Sequence, residues 1–318
     1  MKLIVPDYYD DFTCIGGACK HSCCIGWEID IDDETFKNYQ NIKGDFGKRL
    51  LNGIETGECA AHFRLDENER CPFLNRDGLC DIILTIGEEY LSQICTDHPR
   101  FCSFFNDRTE LGLGLCCEEV GRILFSKQDK TKLIIYEDDE EAEMPTEKEV
   151  AFFEKREKLF ALAQNRTKTI RERMKDLKKE IGVALPEKPF AEWTDIFLSL
   201  EIMDESWKKT LMEARNHSKV LLNFDETDTI WEQLLVYFLY RHVSNPEREL
   251  ASSVLFAILG VYMIQNLFAY FYNRKNDCEQ ELWVELCRMY SSEIEYSEEN
   301  TEKLLSLMED FYYSNISL

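Results

Sequence analysis

The chain has 318 residues, of which 44% are hydrophobic and 31% charged, and its formal net charge is -24. So acidic a chain repels phosphate backbones and anionic lipid surfaces, so no nucleic acid and no membrane are expected among its partners, and a basic protein surface suits it better. At this length two compact cores are expected rather than one.

The amino terminus, MKLIVPDYYDD, has four apolar residues before Pro6 and then acids, which is no signal peptide, and a cytoplasmic protein is expected. Thirteen cysteines follow, eleven of them within the first 117 residues. Thiols stay reduced in the cytosol, so clustered cysteines point to metal or to thiol chemistry rather than to cross-links. The densest stretch is CIGGACKHSCCIGW, residues 14 to 27, with Cys14, Cys19, Cys23 and Cys24. Cys71 and Cys80 bracket CPFLNRDGLC, Cys95 lies in ICTDHPR, and Cys117 ends LGLCC. None of these spacings is the C-x2-C pair of common zinc fingers or ferredoxins, yet a soft thiolate donor set selects zinc or an iron-sulfur cluster. His21 and His98 are imidazoles that could join it.

Consecutive side chains of an extended segment point to opposite faces, so Cys23 and Cys24 are not expected to share one tetrahedral ion. The loop then feeds either one polynuclear centre or two separate ones. Cys59, Cys102, Cys116, Cys278 and Cys287 show no such pattern and are expected to be packing residues. Residues 1–136 are therefore expected to form an irregular cysteine-rich metal-binding domain, with a helix in IGEEYLSQICTDHP ending before Pro99.

An acidic run at residues 137–145, closed by Pro145, reads as a linker. From residue 146 to 318 the pattern is that of an all-α helical domain, which makes the protein mainly α. Thr146 and Glu149 form a capping-box signature opening a helix expected to run to Ile181. Further helices are expected at about 190–222, 228–244, 246–274, 278–292 and 298–313. Asn245 before Pro246, Ser297, and Asp225 or Thr227 are the expected caps. The apolar run from Val254 to Tyr272 approaches the length of a membrane span, but Gln265 and Asn266 interrupt it and a central buried helix is expected.

The blocks PDYYDDFTCIGGACKHSCCIGWEIDIDDETFKNY, CPFLNRDGLC, GEEYLSQICTDHPR and LGLCCEEVGR, in this order over about the first 125 residues, resemble the flagellin lysine-N-methylase family. The resemblance implies metal ligation at Cys14, Cys19, Cys23, Cys24, Cys71, Cys80, Cys95 and Cys117. It also implies a [4Fe-4S] cluster, with zinc as the alternative metal, and methyl transfer from S-adenosylmethionine to the ε-amine of lysine on flagellin or another protein. Within these blocks Glu28, Asp30, Asp32, Glu88, His98 and Arg100 are polar candidates for the site, each with a structural alternative such as capping or ion pairing. No G-x-G-x-x-G turn follows a strand, so a Rossmann-type methyltransferase domain is not expected. The alternative reading is a noncatalytic zinc- or cluster-binding module whose helical part docks a partner.

Overall fold

The structure, a computed structural model, describes residues 1–56, 61–137, 143–183, 188–216, 228–272, 274 and 279–316. Cys59, Cys278 and the caps expected at Asp225 or Thr227 lie outside the described residues. The first elements are β1 (Lys2–Pro6), β2 (Asp30–Ile31), α1 (Asp33–Asn41), α2 (Gly44–Asn52), β3 (Ile54–Glu55), β4 (Ala61–Phe63), α3 (Asp81–Ile86) and α4 (Gln93–Asp97). Next come β5 (Arg100–Phe104), β6 (Arg108–Leu113), α5 (Glu118–Ser126), β7 (Leu133–Glu137), α6 (Glu147–Ala163), α7 (Ile170–Glu180), α8 (Phe190–Leu198) and α9 (Glu205–Ala214). The chain closes with α10 (Asp228–His242), α11 (Leu250–Tyr272), α12 (Glu279–Tyr290) and α13 (Glu298–Ile316). The protein is mainly helical, as its composition and periodicity predict.

Contacts divide the chain into two compact units: Thr13–Phe101 with Cys117–Glu119, and Met1–Phe12 with Cys102–Cys116 and Val120–Leu318. The division does not follow the linker expected at 137–145, because segments from the first 136 residues belong to the unit that holds the long helices. The reason is strand pairing. β1 runs parallel to β6 and antiparallel to β7, in a sheet of order β5-β6-β1-β7, so this unit is not all-α.

In this helical unit α11 is the central element, buried along its length and packed against α10, α12 and α13. It is long and apolar enough to cross a membrane, with 83% of its apolar window buried inside the protein. Gly260 lets its neighbours approach: a Cβ built there would lie 2.9 Å from the Phe238 ring and 3.0 Å from the Tyr290 hydroxyl. Alanine in a helix interior ordinarily gains up to about 1 kcal/mol over glycine. Overpacking here is expected to outweigh that gain, so Gly260→Ala should destabilise the protein by about 1–2 kcal/mol in urea unfolding.

The helix expected from 146 to 181 is two helices. The Thr146–Glu149 capping box opens α6 as predicted, but a second capping box, Thr169 with Glu172, opens α7 after a break. The sequence TIRE carries that start signal in plain form. The helix expected at 190–222 likewise breaks into α8 and α9, with Asp204 accepting a hydrogen bond from the Ser206 N–H; residues 217–222 lie outside the described residues. α11 starts at Leu250 rather than at 246. Asn245 Oδ1 accepts from the Glu247 N–H at 2.9 Å and closes a turn before the helix. Ser297 does cap α13, accepting from the Asn300 N–H at 3.2 Å.

The cysteine unit is less irregular than expected. A small sheet of order β2-β4-β3 and helices α1 to α4 surround an apolar core that includes Ile29, Tyr39, Phe63, Phe73 and Cys71.

Candidate metal centre

All eight cysteines singled out in the sequence fall in the cysteine unit, although they come from separate stretches of chain. Cys71 is a buried member of its apolar core, and Cys24, Cys80 and Cys95 pack against that core. Backbone bonds tie these positions together. The Cys71 N–H donates to the Cys24 carbonyl at 2.9 Å, a β-bridge joins Leu74 and Cys80, and the Asp81 N–H donates to the Phe73 carbonyl at 2.8 Å. Arg49 reinforces the loop, pairing with Asp81 at 2.7 Å and donating to the Pro72 carbonyl at 2.8 Å.

Cys95 is placed by Asp32. The Asp32 carboxylate accepts from the Thr35 N–H at 2.9 Å, capping α1, and from the Gln93 N–H at 2.9 Å, which fixes the first turn of α4. Burial works to raise its pKa, and the bonds from Thr35 and Gln93 outweigh burial, holding the carboxyl below its ordinary range. Asp32→Ala is expected to cost about 1–2 kcal/mol, as cap removal does. A carboxyl with a depressed folded-state pKa contributes stability above its unfolded value and loses it as pH falls. The difference in Tm between wild type and Asp32→Ala should therefore narrow as pH drops through about 4.

Cys23 and Cys24 do not diverge as an extended segment requires. The Ile25 N–H bonds the Ser22 carbonyl at 3.2 Å, so the pair lies in a turn rather than in extended chain. Each thiol acts on the other, Cys23 lowering the pKa of Cys24 and Cys24 raising that of Cys23; the Ser22 side chain and the positive charge of Arg70 also act to lower Cys24. Burial pushes Cys71 up to about 12 and Cys95 up to about 11, and raises Cys80. As free thiols these three are protonated at neutral pH, so binding a metal there releases protons.

A second grouping forms around the 3-10 turn Gly16–Ala18, which Cys14 and Cys19 flank. The Gly16 N–H points at the Cys14 sulfur at 3.4 Å, and the Cys19 N–H bonds the Gly16 carbonyl at 3.1 Å. Glu118, the residue after Cys117, accepts from the Lys20 N–H at 2.8 Å. Cys19 is pushed up to about 12, first by burial and then by the charges of Glu118, Cys117 and Cys14.

The polar candidates separate. Asp32 is a cap and a brace. His98 ends α4, 5.4 Å from the Trp27 ring, and burial lowers its pKa to about 4. Arg100 donates to the Thr96 carbonyl, and Glu88 is exposed in a 3-10 turn. Asp30 is exposed on β2, paired with His62 in the strand register. Glu28 lies 3.3 Å from Nδ1 of His62, whose Nε2 is 3.6 Å from Glu55. The sequence reading missed His62 and Arg70. Arg70 had a signal in its place directly before Cys71, whereas His62 had none, because Glu55 comes from another strand and Glu28 from the segment before β2. Cys287 is buried on α12, as a packing residue would be.

Among the described residues no three Cys, His, Asp or Glu groups converge as ligands of a single ion would. A mononuclear zinc site needs four donors about 2.0–2.3 Å from one point. An iron-sulfur cluster takes its thiolates on separate irons, and thiols are the donors it requires.

A family model for the FliB lysine N-methylase C-terminal domain matches residues 111–317. The chain belongs to the FliB lysine N-methylase family. This match covers the helical part of the chain and takes in the last of the four quoted blocks, LGLCCEEVGR. The lysine-N-methylases of Salmonella choleraesuis (strain SC-B67) and Salmonella typhimurium (strain LT2) are each 29% identical over 137 residues, 40% of this chain and 33% of each relative. The chain thus spans about a third of the length of these relatives. The flagellar biosynthetic protein FliU of Salmonella muenchen is 29% identical over 137 residues, covering 79% of that protein. No solved structure matches the chain.

Proposed function

We propose that this chain is a protein lysine N-methylase that carries an iron-sulfur centre on its gathered cysteines and takes its methyl group from S-adenosylmethionine. Flagellin, or another protein presenting lysine on a basic surface, is the acceptor, and the cytoplasm is the place of reaction. The observation that carries the reading is the collection of eight cysteines in one compact unit of a chain that belongs to a lysine N-methylase family.

Bound there, a [4Fe-4S] cluster would supply electron transfer or an iron position for a ligand. The chain's own residues do the rest. Cys24, Cys71, Cys80 and Cys95 present soft donors from an apolar setting, and Asp32 holds the helix that carries Cys95. Lysine has an ordinary pKa near 10.4, so the acceptor must lose a proton before its amine can attack a methyl group. His62, set between Glu28 and Glu55 in the same unit as the cysteines, is the base we propose for that proton. The net charge of -24 favours approach of a lysine-bearing surface.

The test is anaerobic purification of the full chain, with iron and acid-labile sulfide measured, followed by incubation with S-adenosylmethionine and flagellin and mass spectrometry of lysine-containing peptides. Iron, sulfide and methylated lysine support the reading. Zinc without sulfide, together with no methylation, overturns it in favour of a metal-stapled binding module.

A further inference from the structure

We propose that the exposed edge of β7 pairs with β7 of a second copy of this chain, joining the two sheets antiparallel across a two-fold axis at Ile135. The inference stands independently of the methylase reading.

β7 is an end strand of the sheet β5-β6-β1-β7, and among the described residues no strand lies beyond it. The Asp7 N–H donates to the Lys132 carbonyl at 2.8 Å, so Lys132 turns its backbone groups toward β1. These groups alternate in direction along an antiparallel strand. Those of Ile134 and Tyr136 therefore also face β1, opposite Val5 and Leu3, while those of Leu133, Ile135 and Glu137 face outward. The side chains are open as well: Ile134 is 37%, Ile135 55% and Tyr136 46% exposed. Successive residues of a strand point to opposite faces, so exposure of three in a row leaves both faces of this edge uncovered. Its sequence, LIIYE, has neither the proline nor the lysine with which edge strands ordinarily resist pairing.

Two features select a second copy as the occupant. The first is register. A two-fold axis at Ile135 sets Ile135 opposite its own counterpart, Ile134 opposite Tyr136 and Leu133 opposite Glu137, so every outward backbone group meets another outward one. About six backbone hydrogen bonds form in this register. Ile134 against Tyr136 is a β-branched and aromatic cross-strand pair, which stabilises a sheet. The Tyr136 hydroxyl donates to Asp10 at 2.9 Å, which fixes the ring on its own chain. The second feature is charge. The chain enters β7 through Lys130 and Lys132, and its sequence continues past Glu137 as DDEEAE. Antiparallel pairing sets the basic entry of each copy beside the acidic exit of the other. The net charge of -24 opposes association, but exposed charges farther apart than about 8 Å are largely screened at physiological ionic strength, so those bordering the strand decide.

The test is sedimentation velocity of the full chain over roughly 1–200 μM, with residue-resolved hydrogen exchange at both ends of that range. A pairing this short buries less than the ~1,200 Å² of stable complexes, so a dissociation constant on the order of 10 μM is expected. The Leu133 and Ile135 amides should be protected at high concentration and exchange on dilution. Those of Ile134 and Tyr136, bonded to β1, should stay protected at both. Ile135→Lys puts like charges opposite each other on the axis, and Ile135→Pro removes an outward donor while sparing the β1 ladder. Each should weaken the dimer at least about tenfold with unchanged circular dichroism. A wild type that stays monomeric overturns the proposal, as does a dimer that both variants retain. Exchange at Leu133 and Ile135 that ignores concentration overturns it too. Protection appearing only when a lysine-rich peptide is added to monomeric protein would give the edge to a foreign basic strand and overturn the second copy. Should Ile135→Pro fail to fold, Ile135→Lys and the exchange pattern of wild type still decide.

Discussion

Cys95→Ser is expected to abolish the proposed lysine methylation while leaving the fold in place. Cys95 sits on α4, a five-residue helix with no stability of its own, which is held where it is by the bond from the Gln93 N–H to Asp32 and by packing on the core. Cys95 packs with Cys24 and Cys80 against one apolar core, so replacing it takes one soft donor from the cysteines proposed to hold the centre. A serine hydroxyl is a harder and far less acidic ligand than a thiol, and an incomplete set holds its metal weakly. Loss of outer support alone costs metal sites about 10–100-fold in affinity or activity, so loss of a ligand should lower turnover by more than about 100-fold. Because Cys95 is half-buried and serine is nearly isosteric, circular dichroism should change little. Methylated lysine counted by mass spectrometry checks the outcome. Turnover near that of wild type would remove Cys95 from the centre.

The largest effect on stability is expected at Glu295. The helix that begins as α12 widens into a π-helical turn over Ser291–Glu295, and this turn carries the Glu295 carboxylate into the protein, with its side chain 0% exposed. There it pairs with Arg241 at 3.2 Å, lies 3.0 Å from His242 Nε2, and accepts from the Tyr237 hydroxyl at 2.9 Å. That hydroxyl in turn accepts from the Leu115 N–H at 3.1 Å. Glu295→Ala leaves the Arg241 guanidinium, 10% exposed, without its carboxylate, and stranding a buried charge costs about 3–5 kcal/mol. For a unit of this size Tm should fall by roughly 10 °C. Glu295→Gln retains an acceptor and should cost less. Burial acts to raise the pKa of Glu295, but the charge of Arg241 and the contact with His242 win and hold it down at about 2. A depressed carboxyl stabilises above its unfolded value near 4.3, and that contribution is lost as pH falls toward 2. Wild type and Glu295→Ala should therefore approach one another in acid. A constant difference in unfolding free energy from pH 7 to the acid transition would show that the carboxylate charge is not what stabilises.

The cysteines that share one compact unit stand out in the sequence by their clustering alone. Both capping boxes, at Thr146 and at Thr169, are written in four residues each, although the second was overlooked inside a long periodic run. What escaped was the role of charge. Glu293 and Glu295 lie in SSEIEYSEEN, which has the composition of a solvated acidic stretch. In the structure Glu293 is 1% exposed and accepts from the Met203 N–H at 3.0 Å and from the Asp204 N–H. Glu232 is 0% exposed, pairing with Arg173 at 2.7 Å and Arg166 at 2.8 Å. Each acid is buried because a donor distant in the chain meets it.

The sequence by itself determined the helical character, the caps at Asp32, Thr146 and Ser297, the burial of α11 and the identity of the clustered thiols. All of these depend on residue type or on partners within a few positions. Tertiary structure alone decided that β1 pairs with β6 and β7, which lie about a hundred residues or more away along the chain, and that segments before residue 13 join the unit of the long helices. The physical reason is that a strand's backbone groups and a thiol's neighbours are met by whatever the whole chain brings to them. Periodicity records which face of an element is buried, and it carries no record of what lies against that face.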